Sequence, residues 1–167
     1  MDRRNMIASS GGALAILAAF ARRSAAQTDR PPAFEVEHSP AEWRQRLTAA
    51  QYEVLRLAGT ELPGSSPLLG EHRRGLFACA GCNLLLFSSA TKFESGTGWP
   101  SFFAPLPNAV VTSTDHSLLM QRTEVRCRRC RGHLGHVFDD GPRPTGLRYC
   151  MNGVALVFHN SPQRSAT

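Results

Sequence analysis

Cys127-Arg128-Arg129-Cys130-Arg131-Gly132-His133-Leu134-Gly135-His136-Val137-Phe138 is the stretch on which the reading of this chain turns. It opens on a CxxC pair, and a second pair, Cys79-Ala80-Gly81-Cys82, lies upstream. At this spacing a tight turn points two thiolates at one ion, so Cys79, Cys82, Cys127 and Cys130 make a complete tetrahedral ligand set for one Zn2+. Four protein ligands leave no coordination position for a substrate, which makes the zinc structural. Because residues 83–126 separate the pairs, the ion is expected to clamp distant parts of one sheet instead of folding a small finger. Two disulfides and an iron centre are the alternatives, but adjacent CxxC cysteines share an ion more readily than they strain into a local disulfide. Four thiolates on Zn2+ leave a double negative charge, which Arg126, Arg128, Arg129 and Arg131 are expected to offset.

Outward from the cysteines, short apolar or β-branched runs bounded by turn residues recur. They are Leu76-Phe77-Ala78, Leu84-Leu85-Leu86-Phe87, Val110-Val111-Thr112, Leu118-Leu119-Met120, Glu124-Val125-Arg126 and Gly153 through Phe158. Such runs predict antiparallel strands. Helix signals are confined to the lead-in. Ser39-Pro40-Ala41-Glu42 is a capping box with proline at the first helical position, starting a short helix through Trp43 to Leu47. Thr48 and Gln51 repeat the start signal, and Tyr52, Val54, Leu55 and Ala58 give an apolar stripe ending at Gly59. Proline, glycine and serine from Leu62 to Gly75 make a surface loop. The fold class is α+β and mainly β, with short N-terminal helices.

A length of 167 residues suits one domain. Arg3 and Arg4, the weakly apolar run from Gly11 to Ala21, and Ser24-Ala25-Ala26 have the layout of a twin-arginine-like export signal. Residues 1–26 are therefore expected to be removed on export to the periplasm, with an uncleaved membrane anchor as the alternative. Residues 27–38 read as an extended linker, 39–160 as the folded domain and 161–167 as a flexible tail. Export of a folded chain would let metal be loaded before the protein meets an oxidising compartment. The formal charge of +6 falls to +3 without residues 1–26, where 15 basic and 12 acidic residues remain. So small an excess requires no polyanion, and no nucleic-acid partner is expected.

The fifth cysteine, Cys150, lies in Arg148-Tyr149-Cys150-Met151-Asn152. If this is a strand, period-two alternation puts Arg148, Cys150 and Asn152 on one face, so that a cation and an amide flank a thiol. A free thiol titrates near ~8.5, and a neighbouring guanidinium would raise its thiolate fraction. His133 and His136 fall in what reads as a loop made rigid by the adjacent zinc ligand Cys130. Ser95-Gly96-Thr97-Gly98-Trp99-Pro100-Ser101-Phe102 is a glycine-rich turn presenting Trp99.

Taken in order, Cys79-x-x-Cys82, Ser95 through Phe102, Cys127-x-x-Cys130, His133 through Phe138, Asp140-Gly141-Pro142-x-Pro144-Thr145-Gly146 and Arg148-Tyr149-Cys150-x-Asn152 are a specific set. With the lead-in from Glu42-Trp43 to Thr60-Glu61, the sequence resembles the B-type methionine sulfoxide reductases, which act on the R epimer. The resemblance implies a two-sheet, tent-like β fold with a structural zinc, and thiol-based reduction of oxidised methionine in peptides and proteins by a monomeric enzyme. Cys150 is then the nucleophile, ending as a sulfenic acid. His133 and His136 are candidates to orient the sulfoxide oxygen and donate its proton, Asn152 to anchor a polar network, and Trp99 to form an apolar wall for the substrate methyl group. Many members carry a resolving cysteine at the position of Thr97. Its absence here implies a one-cysteine cycle in which an external thioredoxin-like dithiol protein attacks the sulfenic acid. A zinc-stapled module whose arginines bind phosphate would leave Cys150, both histidines and Trp99 unused, and a thiol peroxidase or metal-storage role is the further alternative.

Overall fold

The computed structural model describes residues 34–116 and 121–161. The expected export signal, the linker up to residue 33, the expected strand Leu118–Met120 and the tail from residue 162 lie outside the described residues.

Two short helices lead in. Helix α1 (Pro40–Arg46) starts at a reciprocal capping box: the Ser39 side chain accepts from the Glu42 amide and the Glu42 carboxylate accepts from the Ser39 amide, at 2.8 Å. Helix α2 (Ala49–Leu57) repeats the device with Thr48 and Gln51. It closes on Ala58 in the left-handed region, one residue before the glycine expected to stop it. Trp43, Leu47, Val54 and Leu55 form the buried stripe.

Among the described residues nine strands follow: β1 (Gly75–Cys79), β2 (Leu85–Ser88), β3 (Lys92–Phe93), β4 (Ser101–Phe102), β5 (Val110–Asp115), β6 (Arg122–Cys127), β7 (His133–Phe138), β8 (Arg148–Met151) and β9 (Leu156–Asn160). They form two antiparallel sheets, one ordered β2-β1-β9 and the other β3-β4-β8-β7-β6-β5. The fold is thus mainly β, as the apolar runs predict. Two details differ. The His133–Phe138 segment, read as a loop, is strand β7, next to the strand that carries Cys150. The run from Gly153 begins with a 3-10 turn, Gly153–Ala155, and only Leu156 enters the ladder. The cause is the Glu61 carboxylate, which takes the amides of Gly153 and Val154 and withholds them from strand pairing.

Aromatic packing joins the sheets. Phe77 of β1, Phe87 of β2 and Phe102 of β4 are fully buried. The rings of Phe87 and Phe102 stack at 4.4 Å, and Phe77 meets Phe102 edge-on at 5.0 Å. Truncating Phe102 to alanine would cost about 3–5 kcal/mol by the usual sum of transfer and cavity effects. Residues 34–36 run across the second cysteine turn: Glu35 pairs with Arg128 and Arg129, and the Val36 amide donates to the Arg129 carbonyl.

Candidate active site and metal centre

The four paired cysteines converge. All their sulfurs lie within 4.8 Å of one another, with Cys79 to Cys130 at 3.6 Å and Cys82 to Cys127 at 3.5 Å. No pair is bonded. Ligands ~2.3 Å from a tetrahedral zinc lie roughly 3.8 Å apart, so the spacing suits a shared ion and is far beyond a disulfide bond. The donor chemistry agrees. Hydrogen bonding to Cys127 and then Cys130 pushes the Cys79 thiol up, while bonds from Cys130 and then Cys79 hold Cys127 down, and a bound cation would offset the charge of four thiolates gathered this closely.

The two CxxC turns are built alike. In each, the residue after the second cysteine is left-handed, Asn83 at φ 58° and Arg131 at φ 60°, and its amide returns to the carbonyl of the first cysteine. Cys79 ends β1 of one sheet and Cys127 ends β6 of the other. The cluster therefore ties the two sheets together instead of clamping parts of one. Nor do the nearby arginines simply face the sulfurs: Arg126 pairs with Glu124, Arg128 and Arg129 with Glu35, and Arg131 lies over the Phe34 ring. Instead, Arg56 donates to the Cys130 carbonyl and Arg129 to that of Cys82.

Cys150 stands mid-way across the six-stranded sheet. Its cross-strand neighbours are Ser101 on β4 and His136 on β7, and the row continues to Glu124 on β6 and Ser113 on β5. Residues directly opposite one another share a face, so these side chains line one surface. Arg148 joins it two residues from Cys150. Its guanidinium is held by the Asp140 carboxylate at 2.8 and 2.9 Å and lies 4.4 Å over the Phe138 ring. The hydrogen bond to Asp140, and secondarily the nearby Cys150 sulfur, raise the Arg148 pKa above its ordinary value.

His133 reaches the same surface by an irregularity. In a regular strand, residues three apart face opposite ways. Here Val125 pairs with Gly135 and Arg126 with His133, which leaves Leu134 as an extra residue in a β-bulge. The bulge turns His133 toward His136, with ring centroids 5.4 Å apart. Gly135, at φ 154°, allows it: a Cβ there would lie 2.1 Å from the Cys150 carbonyl oxygen. Each imidazole is held by a carboxylate of another strand, His133 Nδ1 by Glu124 at 2.6 Å and His136 Nε2 by Asp115 at 2.8 Å. His133 is only 3 % exposed, and its Nε2 is buried without a hydrogen-bond partner. Burial pulls its pKa down against the opposing pull of Glu124.

Asn152 is buried, and both ends of its side-chain amide are hydrogen-bonded. Its Nδ2 donates to the Leu134 carbonyl, as does its backbone amide, and its Oδ1 accepts from the Glu61 amide. It therefore fastens the bulge that aims His133, rather than presenting its amide beside the thiol. The Glu61 carbonyl accepts from Trp99 Nε1 at 3.2 Å, which orients the half-buried indole. Glu61, Glu124, Asp115 and Asp140 are the residues that sequence reasoning left out of the site. Asp140 and Glu124 lie within nine residues of the side chains they hold, whereas Asp115 and Glu61 meet theirs through strand register and loop closure.

With this geometry in place, the comparisons are decisive. Residues 47–160 match the SelR domain. The chain is 51% identical over 126 residues to the peptide methionine sulfoxide reductase MsrB of Leptospira interrogans, covering 75% of this chain and 96% of that protein. It is 53% identical to the MsrB of Agrobacterium fabrum (74% and 93%) and 54% identical to that of Leifsonia xyli subsp. xyli (75% and 91%). The chain belongs to the B-type peptide methionine sulfoxide reductase family. In the glycine-rich turn, Thr97 Oγ1 lies 3.8 Å from the Cys150 sulfur. Ser95 links that hydroxyl to Ser101, at 2.9 and 2.7 Å. The loop thus faces the thiol with hydroxyls.

Proposed function

We infer that this chain is an oxidoreductase that reduces methionine (R)-sulfoxide in peptides and proteins to methionine and so repairs oxidised proteins. The single observation that carries the reading is Cys150. It is the one cysteine outside the four-sulfur cluster, in cross-strand register with His136 and beside the Arg148 cation.

In the proposed step the Cys150 thiolate attacks the sulfoxide and takes up one proton. The oxygen passes to the cysteine as sulfenic acid and methionine leaves with the electron pair, so two electrons move from thiolate to substrate. Arg148 places a positive charge beside the sulfur. His133, with Nδ1 anchored on Glu124, can give the sulfoxide oxygen a proton from Nε2 only in its protonated form, which it must take up against the pull of its burial, and Trp99 offers the methyl group a flat apolar wall. Selectivity for the R epimer rests on family membership.

The sulfenic acid is then attacked by an external thioredoxin-like dithiol. One thiol forms a mixed disulfide and expels water, and the second releases Cys150 as thiol while the partner's own disulfide forms. Thr97 offers no sulfur for an internal route. Zn2+ held by Cys79, Cys82, Cys127 and Cys130 would supply structural cross-linking. The twin-arginine-like segment supports export to the periplasm, where a dithiol partner would have to reside.

Turnover of separated methionine sulfoxide epimers with dithiothreitol tests the reading. Wild type should reduce the R epimer, and Cys150→Ser should lose at least about 10³-fold in rate, by the usual scale for removing a nucleophile. After one turnover without reductant, mass spectrometry should find oxygen on Cys150 and no internal disulfide. Full activity in the serine variant would end the proposal.

A further inference from the structure

Leu62 is 77 % exposed, the most exposed of the large apolar side chains among the described residues. It is also firmly held. The Glu61 amide donates to Asn152, the carbonyl joining Glu61 to Leu62 accepts from Trp99 Nε1, and the Leu62 carbonyl accepts from the amide and hydroxyl of Ser65. Beyond it the Gly64 amide donates to the Gly98 carbonyl at 2.8 Å. Pro63 packs so close that a Cβ on Gly98 would lie 2.8 Å from it. A leucine on a floppy loop needs no explanation, but this one is fixed in the open, one peptide group from the indole.

We propose that Leu62 is a specificity-determining contact for polypeptide substrates, receiving an apolar side chain next to the oxidised methionine. The inference rests on the reading of Trp99 as the wall of the substrate pocket, because the indole that would form that wall is hydrogen-bonded to the peptide group that leads into Leu62. The ligand chemistry follows from the substrate. Methionine is a core residue, its oxidation disrupts the packing around it, and segments loosened in this way carry apolar neighbours. Because the Glu61–Ser65 turn is already ordered, docking on Leu62 has little backbone entropy to overcome.

The test uses the full chain with dithiothreitol and two pentapeptides centred on methionine (R)-sulfoxide, one flanked by leucines and one by serines. Wild type should show kcat/KM about three- to tenfold higher for the leucine peptide, the scale of burying part of one leucine. Leu62→Ser should bring that ratio to about one, and Leu62→Met should retain it. Since the readout is a ratio within each variant, partial loss of folded enzyme does not move it. A wild-type ratio near one, or an unchanged ratio in Leu62→Ser, overturns the inference. Trp99→Ala tests the underlying reading separately: loss on both peptides supports the wall, whereas wild-type rates on both would overturn the wall and the rim contact with it.

Discussion

His133 carries the sharpest consequence at the scale of one residue. Its folded-state pKa is lowered by burial, so folding favours the neutral ring. The stability this contributes is complete above the ordinary value of ~6.5 and is lost as pH falls through the folded-state value. Glu124 acts in the same direction further down. Burial works to raise its carboxyl, but hydrogen bonds from Arg126 and His133 outweigh that and hold it below its ordinary value. Thermal midpoints should therefore fall steadily from pH 7 toward pH 5. In His133→Gln the upper part of that decline, just below pH 6.5, should flatten whatever the variant's overall stability. Identical slopes in the two proteins would show that His133 is not buried neutral. The face shared by Arg148 and Cys150 was legible from period-two alternation. The shared orientation of His133 and His136 was not, because a spacing of three puts them on opposite faces until Leu134 is bulged out.

Among the elements, the turn after β8 has the most to hold in place. Its 3-10 start at Asn152 makes no side-chain cap of its own, and the carboxylate of distant Glu61 supplies it by accepting from Gly153 and Val154. Leaving these amides unpaired should cost about 1–3 kcal/mol of stability in Glu61→Ala. Loosening of Asn152 and Trp99 should lower kcat/KM as well. Glu61→Gln, with one oxygen left to accept, should recover part of both losses in denaturant titration and steady-state kinetics. Equal behaviour of the alanine variant and wild type would remove Glu61 from this role. The capping boxes of α1 and α2 are legible in the sequence because both partners lie within four residues. The cap from Glu61 spans more than ninety residues and leaves no local trace.

For the whole molecule the four-sulfur cluster decides cohesion, because it joins the end of β1 in one sheet to the end of β6 in the other. Removing metal from reduced protein with a strong chelator should lower the thermal midpoint by about 10 °C or more, since ligand binding and folding share one free energy. Stoichiometric zinc should restore it. An unchanged midpoint in metal-free protein would mean that packing of Phe77, Phe87 and Phe102 suffices. By itself the sequence determined the strand-rich class, the two capped helices, the four-thiol set and the fifth cysteine left outside it, because each rests on neighbours a few residues apart or on a count of residue types. Tertiary structure alone decided that the four-sulfur cluster bridges two sheets and that three carboxylates from other elements hold His133, His136 and the turn after Cys150. It likewise decided that Asn152 secures a bulge. Those contacts depend on strand register and loop closure, which place groups far apart along the chain within bonding distance.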